Sequence, residues 1–249
     1  MARPSQGKLY YVSMSDSSYP LGGSAYAQLK NCLGSQVPDV SDTAQFKASF
    51  NALQDRIKKG EIFGGHDIGS GGLITTLLEM CFAENNIGLQ IDLSAFDEQI
   101  LYAENPAVVI QSNAESAKYL SDKGVSIVEI GEANESDVLN IKCANETFEF
   151  HVPTCRKHWM TTSYLMDKNQ TDPSIAKERF DSVDETPLGF KFPTSFTGKL
   201  PLVDEGKRIK AAVIREKGSN SEREMAYMMD LAGFEVKDIH MTDLMNGRE

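Results

Sequence analysis

The sequence of 249 residues contains no apolar run that approaches the roughly 20 residues of a membrane-spanning helix. Its first eight residues also lack the apolar segment of a signal peptide. We therefore expect no membrane partner and a cytoplasmic location. Basic residues are in the minority, with 25 Lys and Arg against 36 Asp and Glu and a formal net charge of −11. Because the average field of such a protein repels a polyanion, we expect no nucleic-acid partner.

Cysteine and histidine are scarce, at four residues each. The cysteines are far apart and none forms a CxxC pair, which argues against a disulfide scaffold and against a cysteine-based metal site. We interpret all four as reduced residues that pack in the interior: Cys32, Cys81, Cys143 and Cys155. Three histidines belong to separate predicted elements, and His66 is interpreted as structural. No Ser or Cys nucleophile at a matching spacing accompanies His66, so we assign no catalytic residue from these residues.

Hydrophobic residues make up 41% of the sequence and charged residues 24%, as in ordinary folded proteins. The spacing of the apolar residues alternates between helical and strand-like periods, which predicts an α+β fold. The clearest helix is capped by Asp42 and ends near Gly60. We expect it to pack inward through four residues at helical spacing: Phe46, Phe50, Leu53 and Ile57.

The chain divides into three predicted segments. Residues 1–153 form the α+β domain, residues 154–207 form a helix and a linker, and residues 208–249 form a β-α-β unit. We expect three aromatic residues of the linker to lie against a neighbouring domain: Phe190, Phe192 and Phe196. Two strands and one helix cannot cover both faces of a parallel sheet. We therefore expect residues 208–249 to be the truncated start of a larger domain.

A glycine loop is the strongest chemical signal in the sequence, because five of the ten residues from Gly64 to Leu73 are Gly. The loop lies between a predicted strand and a predicted helix, where exposed N–H groups and the helix dipole favour an anion such as phosphate. Its spacing matches neither a Walker motif nor a dinucleotide-binding motif. Asp67 lies at its centre, and a carboxylate beside a phosphate requires a bridging cation, for which Mg²⁺ is common.

We therefore predict that Asp67 is a metal ligand and that Gly69 and Gly71 bind phosphate. A second short turn before a helix also favours an anion and supplies three further candidate phosphate-binding residues: Gly22, Gly23 and Ser24. An alternative stays open at this point, in which the glycines only allow the helix to pack closely on the strand and Asp67 is a cap.

Two stretches of the sequence resemble known families. His66–Leu73, followed by Thr75–Ala83, resembles a signature of the carboxy-terminal domain shared by aminoimidazole ribonucleotide synthetase and its relatives. Val213–Ser221, followed by Ala232–Phe234 and His240–Leu244, resembles the start of the glutaminase domain in the long, single-chain phosphoribosylformylglycinamidine synthases. The resemblance is specific because both signatures occur in this order.

The resemblance implies a function in de novo purine biosynthesis. Enzymes of this family convert formylglycinamide ribonucleotide to formylglycinamidine ribonucleotide with ATP, Mg²⁺ and ammonia released from glutamine. The resemblance implies that residues 1–153 are the second synthetase carboxy-terminal domain of such an enzyme. It also implies that residues 208–249 begin a flavodoxin-like glutaminase domain, and that Asp67 binds Mg²⁺ of an ATP or ADP complex. Gly69 and Ser70 stand where the family has Ser and Asp. The family's nucleophilic Cys and the remaining domains of the enzyme are absent, so we expect this fragment to be inactive alone.

Two other functions remain as alternatives. A phosphoryl transferase of the selenophosphate or hydrogenase-maturation type shares the first domain but should lack the glutaminase-like end. A non-catalytic domain with a purely structural glycine loop would instead dock the glutaminase through the phenylalanines of the linker.

Overall fold

The structure is a computed structural model that describes residues 1–15, 18–185, 190–198, 206 and 208–248. Residues 1–188 form one compact unit and residues 189–249 form a second. The predicted domain bounds at residues 153 and 207 stay a prediction.

The first unit is built on one sheet of seven strands. Its order is β2-β4-β1-β5-β3-β6-β7, and every neighbouring pair is antiparallel except β3 and β6. The strands are β1 (Lys8–Ser13), β2 (Ile62–Asp67), β3 (Gly88–Leu93), β4 (Ala107–Ser112), β5 (Ser126–Asn134), β6 (Val138–Cys143) and β7 (Glu146–His151). β2 and β7 therefore lie at opposite edges of the sheet.

In the described part of the first unit, four α-helices and a short 3₁₀ helix at Glu98–Leu101 lie between these strands, and two further α-helices follow β7. The α-helices are α1 (Ala25–Leu29), α2 (Thr43–Lys58), α3 (Gly72–Cys81), α4 (Ala114–Asp122), α5 (Val152–Asp167) and α6 (Pro173–Asp181). The predicted α+β fold is confirmed.

Each face of the sheet has its own hydrophobic core. Because successive side chains of a strand point to opposite faces, β1 contributes Leu9 and Tyr11 to one core and Tyr10 and Val12 to the other. The first core includes the apolar face of α3, and the second includes residues of α2 and α4. β1 is consequently buried on both faces, which suits a central strand.

Helix α2 begins as predicted, since the Asp42 side chain accepts hydrogen bonds from the N–H groups of Ala44 and Gln45. Its inward face is only partly as predicted. Leu53 is buried, whereas Phe50 and Ile57 are each 45% exposed. These two side chains line an open groove of about 630 Å³ beside the edge strand β2.

Two segments differ from the sequence-based expectation. The helical spacing of Leu29 and Leu33 predicts a helix from residue 24 or 25 to about Gly34, but α1 ends at Leu29, and both leucines are exposed. The segment interpreted as a linker contains α6, which begins with Pro173 in its first turn and is capped by Asp172. Phe192 and Phe196 stack on each other at 4.8 Å, and both rings, like Phe190, are exposed. The expected packing of these rings against a neighbouring domain stays a prediction.

The second unit contains the predicted β-α-β arrangement. Strand β8 (Ile209–Arg215), helix α7 (Glu222–Leu231), strand β9 (Phe234–His240) and helix α8 (Met241–Met245) follow in order. β8 and β9 are parallel and pair from Ile209 with Phe234 to Arg215 with His240. No residue of α7 is buried. Ile214 and Met228 are both more than half exposed, so this unit leaves much of its apolar surface uncovered.

A buried arginine joins α5 to the end of α3. Arg156 is 4% exposed and donates to the side chains of Asn85 (2.6 Å) and Asp184 (3.2 Å). It also donates to the main-chain carbonyls of Cys81 (3.4 Å) and Glu84 (2.7 Å). One guanidinium group therefore satisfies four acceptors from two other segments of the first unit, residues 81–85 and Asp184.

We predict that Arg156→Met destabilises the chain by about 3 kcal/mol, because it leaves buried acceptors without a donor. Chemical denaturation followed by circular dichroism measures the change in unfolding free energy. Arg179→Met is the matched control, since its ion pair with Asp167 is on the surface, and it should cost less than about 1 kcal/mol. Equal losses in the two variants would contradict a specific role for Arg156.

Candidate functional site

The glycine loop connects the edge strand β2 to helix α3 through residues 68–71. Gly71 and Gly72 have φ values of +93° and +74°, in the left-handed region that favours glycine. A Cβ atom on Gly72 would lie 2.6 Å from the carbonyl carbon of Tyr102. Gly72 therefore allows the start of α3 to approach the main chain of residues 101–102, as the structural interpretation of the loop expected.

Asp67 is the last residue of β2, and its main chain is hydrogen-bonded while its carboxylate is exposed to solvent. Its carbonyl oxygen accepts a hydrogen bond from Thr76 Oγ1 at 3.1 Å and lies 2.7 Å from His66 Nδ1. Its carboxylate is 83% exposed, and one oxygen is 3.5 Å from His66 Nδ1. The Asp67 side chain is not a cap of α3, because the N-cap residue is Gly71 and no side chain caps that helix.

His66 is held between polar partners on β2 and α3. Its Nε2 lies 3.3 Å from Glu79 Oε2 on α3. The other oxygen of Glu79 accepts from the indole N–H of Trp159 at 2.8 Å. Trp159 is the only tryptophan of the chain, so its fluorescence reports on this side of the glycine loop.

Most N–H groups of the predicted phosphate-binding residues already donate within the protein. Gly22 donates to Gln36 O, Gly23 to Leu33 O and Ser24 to Leu21 O, at 2.7, 2.8 and 3.2 Å. Gly71 donates to Glu104 Oε1 at 2.8 Å. Within the described parts of the chain, the N–H groups of Gly69 and Ser70 have no partner. The donors open to an anion therefore directly follow Asp67 and Ile68.

Glu104 is a residue of this site that the sequence-based reasoning missed. The same oxygen that accepts from Gly71 also accepts from the N–H of Ala25 at 2.8 Å. The structure thus brings together the two glycine turns, Leu21–Ser24 and Gly69–Gly72. Glu104 lies 33 residues from Gly71 and 79 from Ala25, so no local motif indicates the contact.

Besides Asp67, the described residues supply few side chains that could ligate a cation at this loop. Among the described residues, no three His, Cys, Asp or Glu side chains are grouped so that they could hold a metal ion. An ion bound here would take one carboxylate from Asp67 and fill its other positions with water and ligand oxygens. That coordination is typical of Mg²⁺ bound together with a phosphate.

Comparison with known proteins identifies the fold around this loop. Residues 12–144, just over half of the chain, match the family described as AIR synthase related protein, C-terminal domain. The chain belongs to this family. Its AIR-synthase-related domain thus includes Asp67 and both glycine turns. Residues 208–249 match a second family, described as the CobB/CobQ-like glutamine amidotransferase domain. The two matches confirm the resemblance inferred from the sequence.

Two relatives of this AIR-synthase-related chain are informative. Phosphoribosylformylglycinamidine synthase of Homo sapiens is 33% identical over 255 residues, which cover 97% of this chain and 19% of the human protein. The chain thus spans about a fifth of that relative's length. A structure of T. maritima PurL complexed with FGAR is similar with a TM-score of 0.50 and 17% identity, over 62% of this chain and 28% of that chain. At this identity the likeness shows a shared fold.

The cysteines of the AIR-synthase-related chain fit their packing interpretation only in part. Cys81 and Cys143 are buried, and burial raises the pKa of the Cys81 thiol to about 12. Cys155 is half-buried and Cys32 is exposed, so the interpretation is wrong for Cys32. In the ranges that the structure describes, no helix is both long and apolar enough to cross a bilayer.

Two glycines of the loop should respond in opposite ways to a methyl group. A Cβ atom at position 69 would contact nothing within 4 Å, and Gly69 has no positive φ. Gly69→Ala should therefore stabilise the chain by up to about 1 kcal/mol, through the entropy of the unfolded state. Gly72→Ala should destabilise it by about 3 kcal/mol or more, because both its φ and the Tyr102 main chain oppose a side chain.

Thermal unfolding of the two alanine variants beside the wild type measures this contrast. A similar loss of stability in both variants would show that the open space at residue 69 is not a property of the folded protein.

Proposed function

We propose that this chain is part of an ATP-dependent, glutamine-dependent amidotransferase that converts formylglycinamide ribonucleotide to formylglycinamidine ribonucleotide. In this enzyme ATP phosphorylates the amide oxygen and ammonia from glutamine displaces the phosphate. The AIR-synthase-related domain supplies one wall of a nucleotide site, and residues 208–249 belong to the glutaminase. A cytoplasmic location and the absence of nucleic-acid and membrane partners remain part of the proposal.

The order of the two family matches supports this reaction over the alternatives. A phosphoryl transferase of the selenophosphate or hydrogenase-maturation type is expected to lack a glutamine amidotransferase segment after the AIR-synthase-related domain, whereas this chain contains one. The human relative, which matches along 97% of the chain, is named for the proposed reaction. Together these findings favour a synthetase joined to a glutaminase in one polypeptide.

The exposed Asp67 carboxylate, which precedes two unpartnered N–H groups, is the observation on which the proposed nucleotide site rests. In the proposal Asp67 binds Mg²⁺ of an ATP or ADP complex, and the N–H groups of Gly69 and Ser70 donate to a phosphate oxygen. Gly71 and the second turn, Gly22, Gly23 and Ser24, shape the wall of the site. Their own N–H groups are already used, so they contribute through their backbone conformation.

The remaining chemistry requires other parts of the enzyme. Glutamine hydrolysis in the family uses a Cys nucleophile, and residues 208–249 contain no cysteine. We therefore propose that both the hydrolysis of glutamine and the conversion of formylglycinamide ribonucleotide require the other domains of the parent protein. The isolated chain should bind the nucleotide complex without turnover.

We predict that the chain binds Mg²⁺–ATP with a Kd in the millimolar range or tighter, and that Asp67→Asn weakens binding by about tenfold or more. Isothermal titration calorimetry measures the affinity, and quenching of Trp159 fluorescence provides a second signal. Glu149→Gln on β7 is the matched control, because it removes one exposed charge at the opposite edge of the sheet. Its affinity should equal that of the wild type.

A folded wild-type chain that gives no heat and no fluorescence change with Mg²⁺–ATP would contradict the nucleotide site. That result would favour the alternative of a non-catalytic domain that docks the glutaminase. Binding that is equally strong in Asp67→Asn would contradict the role of Asp67 alone.

A substitution at Gly69 tests the same site in the opposite direction. Family resemblance implies a nucleotide-contacting Ser at this position, and the space around Gly69 is open. We predict that Gly69→Ser tightens Mg²⁺–ATP binding by about threefold to tenfold, the effect of one added hydrogen bond. Gly69→Ala is the control, since it adds the carbon without the hydroxyl. Equal affinities of the two variants would argue against a ligand beside residue 69.

A further inference from the structure

Glu104 joins the two glycine turns through one oxygen atom. Its Oε1 accepts from Gly71 N and from Ala25 N, each at 2.8 Å, so the two nitrogens are at most twice that distance apart. Gly71 is the N-cap residue of α3, and Ala25 is the first residue of α1. The carboxylate thus replaces the external anion that such N–H groups attract.

The segment that contains Glu104 contacts both turns at further points. We call residues 101–104 the platform. Gly72 packs directly on the platform main chain, where a Cβ would lie 2.8 Å from Leu101 O. The ring of Tyr102 stacks on Tyr26 of α1 with 4.4 Å between centroids. Two helix starts therefore rest on one short segment, and Glu104 is the side chain that bonds to both.

The arrangement determines where a phosphate can bind. Glu104 already accepts the hydrogen bonds of the Gly71 and Ala25 N–H groups. A phosphate must therefore use the N–H groups of Gly69 and Ser70, which have no acceptor among the described residues. A phosphate there approaches a loop that lies beside the carboxylates of Glu104 and Asp67. Such a site repels free phosphate and accepts it with a divalent cation.

We propose that Glu104 is a positioning residue that holds the two glycine turns in the geometry needed to bind a Mg²⁺-bound nucleotide phosphate. This inference rests on the proposed nucleotide site, and it adds a residue that does not itself contact the ligand. Glu104 positions the turns through its acceptor oxygen, so a glutamine side chain at this position should preserve most of the positioning.

Two variants separate the acceptor oxygen from the rest of the side chain. Glu104→Ala removes the acceptor, whereas Glu104→Gln keeps an oxygen in its place. In the full chain without nucleotide, amide hydrogen exchange measured by NMR should accelerate at Gly71 and Ala25 by about tenfold in Glu104→Ala. In Glu104→Gln the acceleration should be about threefold or less.

Calorimetric titration with Mg²⁺–ATP gives the second readout. We expect the Kd to rise by about tenfold in Glu104→Ala and by about threefold or less in Glu104→Gln. Glu98→Gln, which removes an exposed carboxylate from the preceding 3₁₀ helix, should change neither readout.

Unchanged exchange at both amides in Glu104→Ala would overturn the inference. So would faster exchange with an unaltered Kd in a chain whose wild type binds Mg²⁺–ATP. If the wild type binds no Mg²⁺–ATP, the proposed function fails and with it the binding role of Glu104. The exchange rates still decide in that case whether Glu104 positions the two turns.

Discussion

The close approach of Gly72 to the main chain of residues 101–102 is the constraint on which the candidate site depends. Only a residue without a Cβ fits there, since the added atom would lie 2.6 Å from a backbone carbon. The contact fixes the start of α3 and hence the direction of the loop that precedes it. With the loop in this position, the Gly71 N–H reaches Glu104 and the Asp67 carboxylate points into solvent.

The fold supports this contact from both sides of the loop. α3 packs its apolar face in one of the two hydrophobic cores, so the helix cannot move away from the sheet without exposing it. Arg156 fixes the other end of the same helix through the carbonyls of Cys81 and Glu84. β2 is an edge strand, so its last residue, Asp67, lies at the rim of the domain and remains accessible. A rigid helix thus presents an accessible carboxylate.

Local patterns in the sequence predicted the elements whose signals are local. The cap at Asp42, the glycine loop before α3 and the β-α-β order of the second unit all follow from residues within one or two turns of each other. The errors arise where packing decides. Leu29 and Leu33 have helical spacing, but nothing covers them within the described chain, and the helix ends early. Pro173 was interpreted as part of a linker, although proline is also favoured in the first turn of a helix.

The site shows the same division between local and distant information. The motif predicted an anion-binding loop with Asp67 as a metal ligand, and the family resemblance implied the same role for Asp67. The sequence could not indicate which N–H groups remain open, because their partners come from elsewhere: Gln36 for Gly22, Leu33 for Gly23 and Glu104 for Gly71.

A glycine-rich loop in a sequence therefore predicts more anion-binding donors than the folded protein offers. Six residues of the two turns were candidates for binding the anion: Gly22, Gly23, Ser24, Gly69, Ser70 and Gly71. Among the described residues, only Gly69 and Ser70 of these six keep an unpartnered N–H, and both follow the exposed Asp67 carboxylate. A phosphate bound by these two N–H groups would lie beside the negatively charged Asp67 carboxylate. In the proposed site Mg²⁺ would offset that repulsion, so the donor arrangement and the family resemblance support the same proposal.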